Sequence, residues 1–71
     1  MSNDFSFARG LRKLMEREDI PQCMLADFSG VREKTISETL REITVPRQKT
    51  KDRLAEVFRM TAEAVEAYGK E

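Results

Sequence analysis

The sequence predicts an all-α protein in which five short helices form one compact bundle around a single core. Three observations carry this. Apolar residues recur at three- and four-residue spacing. Proline and glycine punctuate the chain at short intervals. No β-branched run alternates long enough to make a strand, since Thr44-Val45 ends at once in Pro46. Residues 1–71 read as one domain, without internal repeats, low-complexity tracts or a linker.

The elements follow in order. Phe7, Leu11, Leu14 and Glu18 keep helical spacing with Met15 beside them, so residues 6–18 form an amphipathic helix. Asp19-Ile20-Pro21 ends it, because the residue before a proline avoids the helical region. Pro21 opens a second helix, where its missing N–H costs nothing. That helix runs from Gln22 to Phe28 and offers Leu25, Ala26 and Phe28 for packing. Ser29-Gly30 stops it, with Gly30 expected in the left-handed conformation that glycine adopts cheaply. A third helix spans Arg32 to Glu42 with Ile36, Leu40 and Ile43 pointing inward. Thr44-Val45-Pro46 reads as an extended connection. A fourth helix, Gln48 to Arg59, buries Leu54, Val57 and Phe58, and Thr61 is the expected N-cap of a fifth containing Val65 and Tyr68.

Composition excludes several classes of function. With no histidine and one cysteine, Cys23, there is neither an internal disulfide nor a His/Cys metal site. Enzymatic activity is not expected: the usual general base near neutral pH is missing, and the carboxylates are scattered among lysines and arginines. Gly10, Gly30 and Gly69 stand too far apart for a phosphate-cradling loop, so no cofactor and no small-molecule ligand is evident. No apolar run approaches the ~18 residues of a membrane span and no signal peptide is apparent, so a soluble, cytoplasmic protein is expected. Charge is balanced overall but not along the chain. Residues 32–53 carry a net +3 against −1 before them and −2 after, which places a face for an anionic partner in the middle third.

That middle third also carries a spacing with geometric meaning. Two short helices joined by a tight glycine turn need a small residue where they cross, Ala26. Four positions on they need a residue tolerant of positive φ, Gly30. Next comes an apolar plug under the turn, Val31, and five further on an apolar anchor, Ile36. The pattern Gln22-x-x-x-Ala26-x-x-x-Gly30-Val31-x-x-x-x-Ile36-Ser37 resembles the signature of the XRE or lambda-repressor-like helix-turn-helix family, which includes phage Cro and repressor proteins. Pro46, Thr50, Leu54-Ala55, Met60-Thr61 and Glu63 extend the similarity over residues 7–68. Two positions depart from it: Thr39 stands where the family usually has an apolar residue, and Pro21 where it has a serine or threonine cap. The resemblance implies a lambda-repressor-like DNA-binding domain with its helix-turn-helix at residues 22–42. It further implies a transcriptional repressor, of phage or bacterial type, that binds a near-palindromic operator as a homodimer. A chain of this size fits either a whole Cro-like protein or the DNA-binding part of a longer repressor.

Two routes lead to candidate contacts with double-stranded DNA. With Ile36, Leu40 and Ile43 inward, the opposite side of the third helix, at about 100° per residue, holds Lys34, Ser37, Glu38 and Arg41. The resemblance points to Gln22, Glu33, Lys34, Glu38 and Arg41. Lys34 and Arg41 can donate to the O6 and N7 acceptors of guanine, and Glu38 can accept from a cytosine amino group. Ser37 can bond to a base or a phosphate. Gln22, Arg32, Arg47, Lys49 and Lys51 fit phosphate contacts, which give affinity without sequence reading. The plainer alternative for all these charges is a solvated helix face.

One such domain offers few contacts, and two spaced by about one turn of DNA (~34 Å) double them. The resemblance places the dimer contact near the fourth and fifth helices, where Val57, Met60, Val65 and Tyr68 supply apolar surface. Phe5 and Phe7 read as core cover or a dimer contact, and Cys23 and Met24 as core or rim packing. A second reading keeps the fold and changes the partner. With Glu33, Glu38 and Glu42 on the third helix, the domain becomes an antitoxin- or antirepressor-like protein-interaction module.

Overall fold

The computed structural model describes residues 5–71. Five α-helices follow in order, with no strand among the described residues: α1 (Ser6–Glu18), α2 (Gln22–Ser29), α3 (Glu33–Leu40), α4 (Gln48–Val57) and α5 (Ala62–Gly69). Phe7, Leu11 and Leu14 of α1 meet Leu25, Ile36, Leu54 and Val65 from the other four helices, all of them buried. Every helix therefore contributes to one core, as the spacing predicts.

The tightest joint is the crossing of α1 and α5. A methyl group at Gly10 would overlap the Val65 carbonyl oxygen, and one at Gly69 would overlap the Ser6 carbonyl oxygen and lie 2.6 Å from the Gly10 nitrogen. The two backbones touch because neither glycine has a side chain. Lys13 locks the joint from the side: its Nζ donates to the carbonyls of Tyr68 (3.2 Å) and Glu71 (2.8 Å), placing a positive charge at the C-terminal end of α5.

The helix ends share a second device. After α1, α3 and α4 the chain turns left-handed at Asp19 (φ 56°), Glu42 (φ 60°) and Arg59 (φ 58°). Ile20, Ile43 and Met60 then donate back to the carbonyls of Met15, Glu38 and Ala55, closing the six-to-one loop of a Schellman end. Gly30 (φ 75°) ends α2 in the same region, and its N–H donates to Ala26. Thr61 caps α5 as expected, its Oγ1 accepting from the Ala64 N–H at 3.1 Å.

The early left-handed turn at Glu42 overturns one expectation. The third helix stops at Leu40 instead of continuing to Glu42, so Ile43 lies beyond it and is 60% exposed. Thr39 takes the inward place instead. It is fully buried, and its hydroxyl donates to the Thr35 carbonyl one turn back (2.9 Å), so the polar atom is satisfied within its own helix. The fourth helix likewise ends at Val57, short of Arg59, with Val57 and Phe58 only half-buried against the core. Phe28 also departs from expectation, being 59% exposed. The inward arc of α2 is set by Leu25, Ala26, Ser29 and Gln22, and Phe28 projects about 110° from its centre. Cys23 and Met24 lie on outward parts of α2 too, exposed instead of packed.

Backbone geometry sets what substitution costs at these positions. Gly10→Ala and Gly69→Ala each force the α1–α5 crossing apart and cost about 3 kcal/mol or more in a urea-denaturation measurement. Gly30 has open space around it, so only its φ matters: Gly30→Ala costs about 1 kcal/mol, and Arg59→Gly stabilises by about as much.

Candidate nucleic-acid interface

The α2–turn–α3 unit is built from short-range bonds. Ser29 Oγ donates to the Leu25 carbonyl (2.7 Å) and accepts from the Val31 N–H (3.1 Å), so the side chain spans the turn that Gly30 opens. Val31 is buried beneath it and Ala26 is half-buried between the helices. Arg32 is the extended residue preceding α3 (φ −63°, ψ 140°), with no side chain capping the first turn. Glu33 occupies that turn, where a carboxylate is favoured by the helix dipole.

With Ile36, Thr39 and Leu40 turned inward, α3 presents Lys34, Ser37 and Glu38 on its other side. Lys34 and Glu33 are exposed, and Ser37 and Glu38 half-buried. None of these four side chains has a hydrogen-bond or ion-pair partner among the described residues, so their polar atoms are free for a ligand. Arg41 is exposed as well, but sits at the C-cap of α3 and not on its body. There it shares an open groove of about 790 Å³ with Gln22 from the start of α2 and Arg12 from α1. The apolar floor of that groove is Met15, Ile20, Pro21 and Leu40, and Glu16 and Asp19 stand at its α1 side.

Arg12 was not among the residues singled out from the sequence. Its guanidinium donates to the Leu40 carbonyl, satisfying the end of α3 and placing a positive charge at the negative end of that helix. Arg12 and Lys13, adjacent on α1, thus each hold the end of a different helix. No local pattern signals this, because reaching the end of α3 depends on how α1 crosses it. Glu42 is also accounted for: it pairs with Arg9 (3.6 Å) beyond the helix, leaving Glu33 and Glu38 as the carboxylates on α3 itself.

The residues expected at phosphates divide. Arg32, Arg47 and Lys49 are exposed and without a side-chain partner among the described residues, Arg47 lying just before α4. Lys51 is not available in that way. Its Nζ lies 3.1 Å from Glu66 Oε2 of α5 and 5.8 Å from the centre of the Phe7 ring, with the side chain only 15% exposed. It ties α4 to α5 and to α1.

Of the four residues expected to form a pairing surface on α4 and α5, one is buried and three are half-buried. Val65 is fully buried under the α1 crossing and has no surface to offer a second copy. Tyr68 lies under Lys13, its ring centre 5.6 Å from the ammonium, while Val57 and Met60 pack partly against the core. Among the described residues there is no cluster able to hold a metal ion, and no helix is long and apolar enough to cross a membrane. Comparison with known proteins finds no matching family model, no matching curated relative and no matching solved structure.

Lys49 and Lys51 make a paired test of these assignments. Lys51→Met lowers stability by about 1 kcal/mol through the lost, partly screened ion pair, whereas Lys49→Met stays within about 0.5 kcal/mol of the parent. Thermal and urea unfolding of the two variants side by side measures the difference.

Proposed function

We propose that this chain is a sequence-specific, double-stranded DNA-binding transcriptional regulator. It acts as a Cro-like repressor, of phage or bacterial type, that occludes a promoter when bound to a near-palindromic operator. One observation carries the reading. A short helix, α3, is braced on its inner side by Ile36, Thr39, Leu40 and the Arg12 clamp, and on its outer side keeps Lys34, Ser37 and Glu38 unpartnered. A helix whose polar side chains are left without partners while its position is fixed suits the major groove, where base edges supply the complementary donors and acceptors.

Roles then divide by position. Lys34 donates to guanine, Ser37 to a base or phosphate, and Glu38 accepts from a cytosine amino group. The acid repels phosphate wherever that cytosine is absent, so it adds discrimination instead of affinity. Arg41, beside Gln22 and Arg12 in the groove past the helix end, fits the backbone better than a base. Arg32, Arg47 and Lys49 flank the same unit and add affinity without reading sequence. Glu33 fits its own helix dipole as well as it fits a base.

The test is a salt-dependent titration against random duplex DNA, followed by selection of preferred sites from a random pool. Binding weakens steeply with salt, and a two-fold symmetric consensus emerges. Arg41→Met lowers the salt slope by about 1, and Glu38→Gln relaxes preference at one base pair in each half-site. Absence of binding to any duplex at ~50 mM salt, where counterion release favours association, sinks this reading. The two carboxylates on α3 then favour the protein-interaction alternative.

A further inference from the structure

We infer that the α2–α4 face is a self-association surface, on which Phe28 of one copy seats in the groove of a second copy and receives that copy's Phe28 in return. Phe28 is 59% exposed and Met24, one turn earlier on α2, is 41% exposed. Phe28, with Ser29, forms one wall of a groove of about 290 Å³ that is floored by the half-buried Ile20 and Val57 and edged on the far side by Arg53 and Glu56 of α4. Its size is at the low end of sites that accept an organic group. A single exposed phenylalanine is ordinary, but an apolar ridge lying directly against an apolar hollow of its own scale is a matched pair.

The rim decides the occupant. Arg53 and Glu56 have opposite signs, stand three positions apart on α4, and have no ion-pair partner among the described residues. An acidic partner would satisfy Arg53 and meet Glu56, and a basic one the reverse. Nucleic acid would meet Glu56 and the exposed Asp27 of α2. A second copy related by a two-fold axis satisfies both charges at once, because the same patch on each copy presents Arg53 to Glu56 and Glu56 to Arg53. The ridge and the hollow obey the same symmetry. This surface replaces the α4–α5 face, where Val65 and Tyr68 are already engaged. It draws on none of the side chains proposed for DNA.

The experiment is sedimentation equilibrium of the full chain without DNA, so that its outcome is separate from whether the chain reads DNA. The parent shows a reversible monomer–dimer equilibrium below about 1 mM. Phe28→Ser, at an exposed position and therefore folded as judged by circular dichroism, weakens it by about tenfold or more. Arg53→Glu and Glu56→Arg each weaken it several-fold, and the two together restore it. A chain that remains monomeric at about 1 mM overturns the inference. So does a dimer indifferent to Phe28→Ser, or a double charge reversal that pairs no better than either single change.

Discussion

The closest constraint in the molecule is the contact of two backbones at the α1–α5 crossing. Gly10 and Gly69 let the helices approach until the Val65 and Ser6 carbonyls fill the space a side chain would need. At that separation Val65 is driven into the core beside Phe7 and Leu11, and Lys13 comes within reach of the last carbonyls of α5. Lys51 draws α4 to the same assembly through Glu66 and the face of Phe7. A small domain has little apolar area to bury, so close approach of its longest helix to its last one matters more here than in a larger chain.

From that crossing, α1 acts as the frame on which α3 is held. Leu11 and Leu14 pack in the common core with Ile36 and Leu40, while Arg12 takes the final carbonyl of α3. Arg9 engages Glu42 just past the helix. Four residues between positions 9 and 14 of α1 therefore brace or end other elements. The outward side of α3 is left without such duties, and this separation of held and unheld faces supports the proposed reading of Lys34, Ser37 and Glu38. It also argues against counting every charge in the basic middle third as a contact. Lys51, two residues from Lys49, points into the fold because α4 turns it toward α5.

Local chemistry was legible to different depths at different helix ends. At Gly30 the residue type names its own conformation, and at Thr61 the hydroxyl names the cap. Asp19, Glu42 and Arg59 adopt the same left-handed geometry without the glycine that announces it. The Schellman bonds, with Ile20 and Met60 folding back onto the core, offset the steric cost there. A reading by residue type thus extends α3 and α4 about two residues too far, which misplaces Ile43 and Arg41. The buried Thr39 is the complementary case: its polarity argues for the surface, yet a hydroxyl can bond to the preceding turn of its own helix and enter the core satisfied.

By itself the sequence determined the five helices, their approximate ends, the glycine turn between α2 and α3, and most of the core, because periodicity, capping and turn chemistry act over a few neighbouring residues. It also determined which side of α3 carries Lys34, Ser37 and Glu38, since one buried anchor, Ile36, settles the face of a short helix. Only the tertiary structure decided that Gly10 and Gly69 are a joint, that Arg12 holds α3, that Lys51 and Val65 are spent inside the fold, and that Phe28 stays outside it. Each of these depends on the distance and angle between helices remote in sequence. Spacing along one helix places a side chain on a face, but the partner that face meets is set only when the core closes.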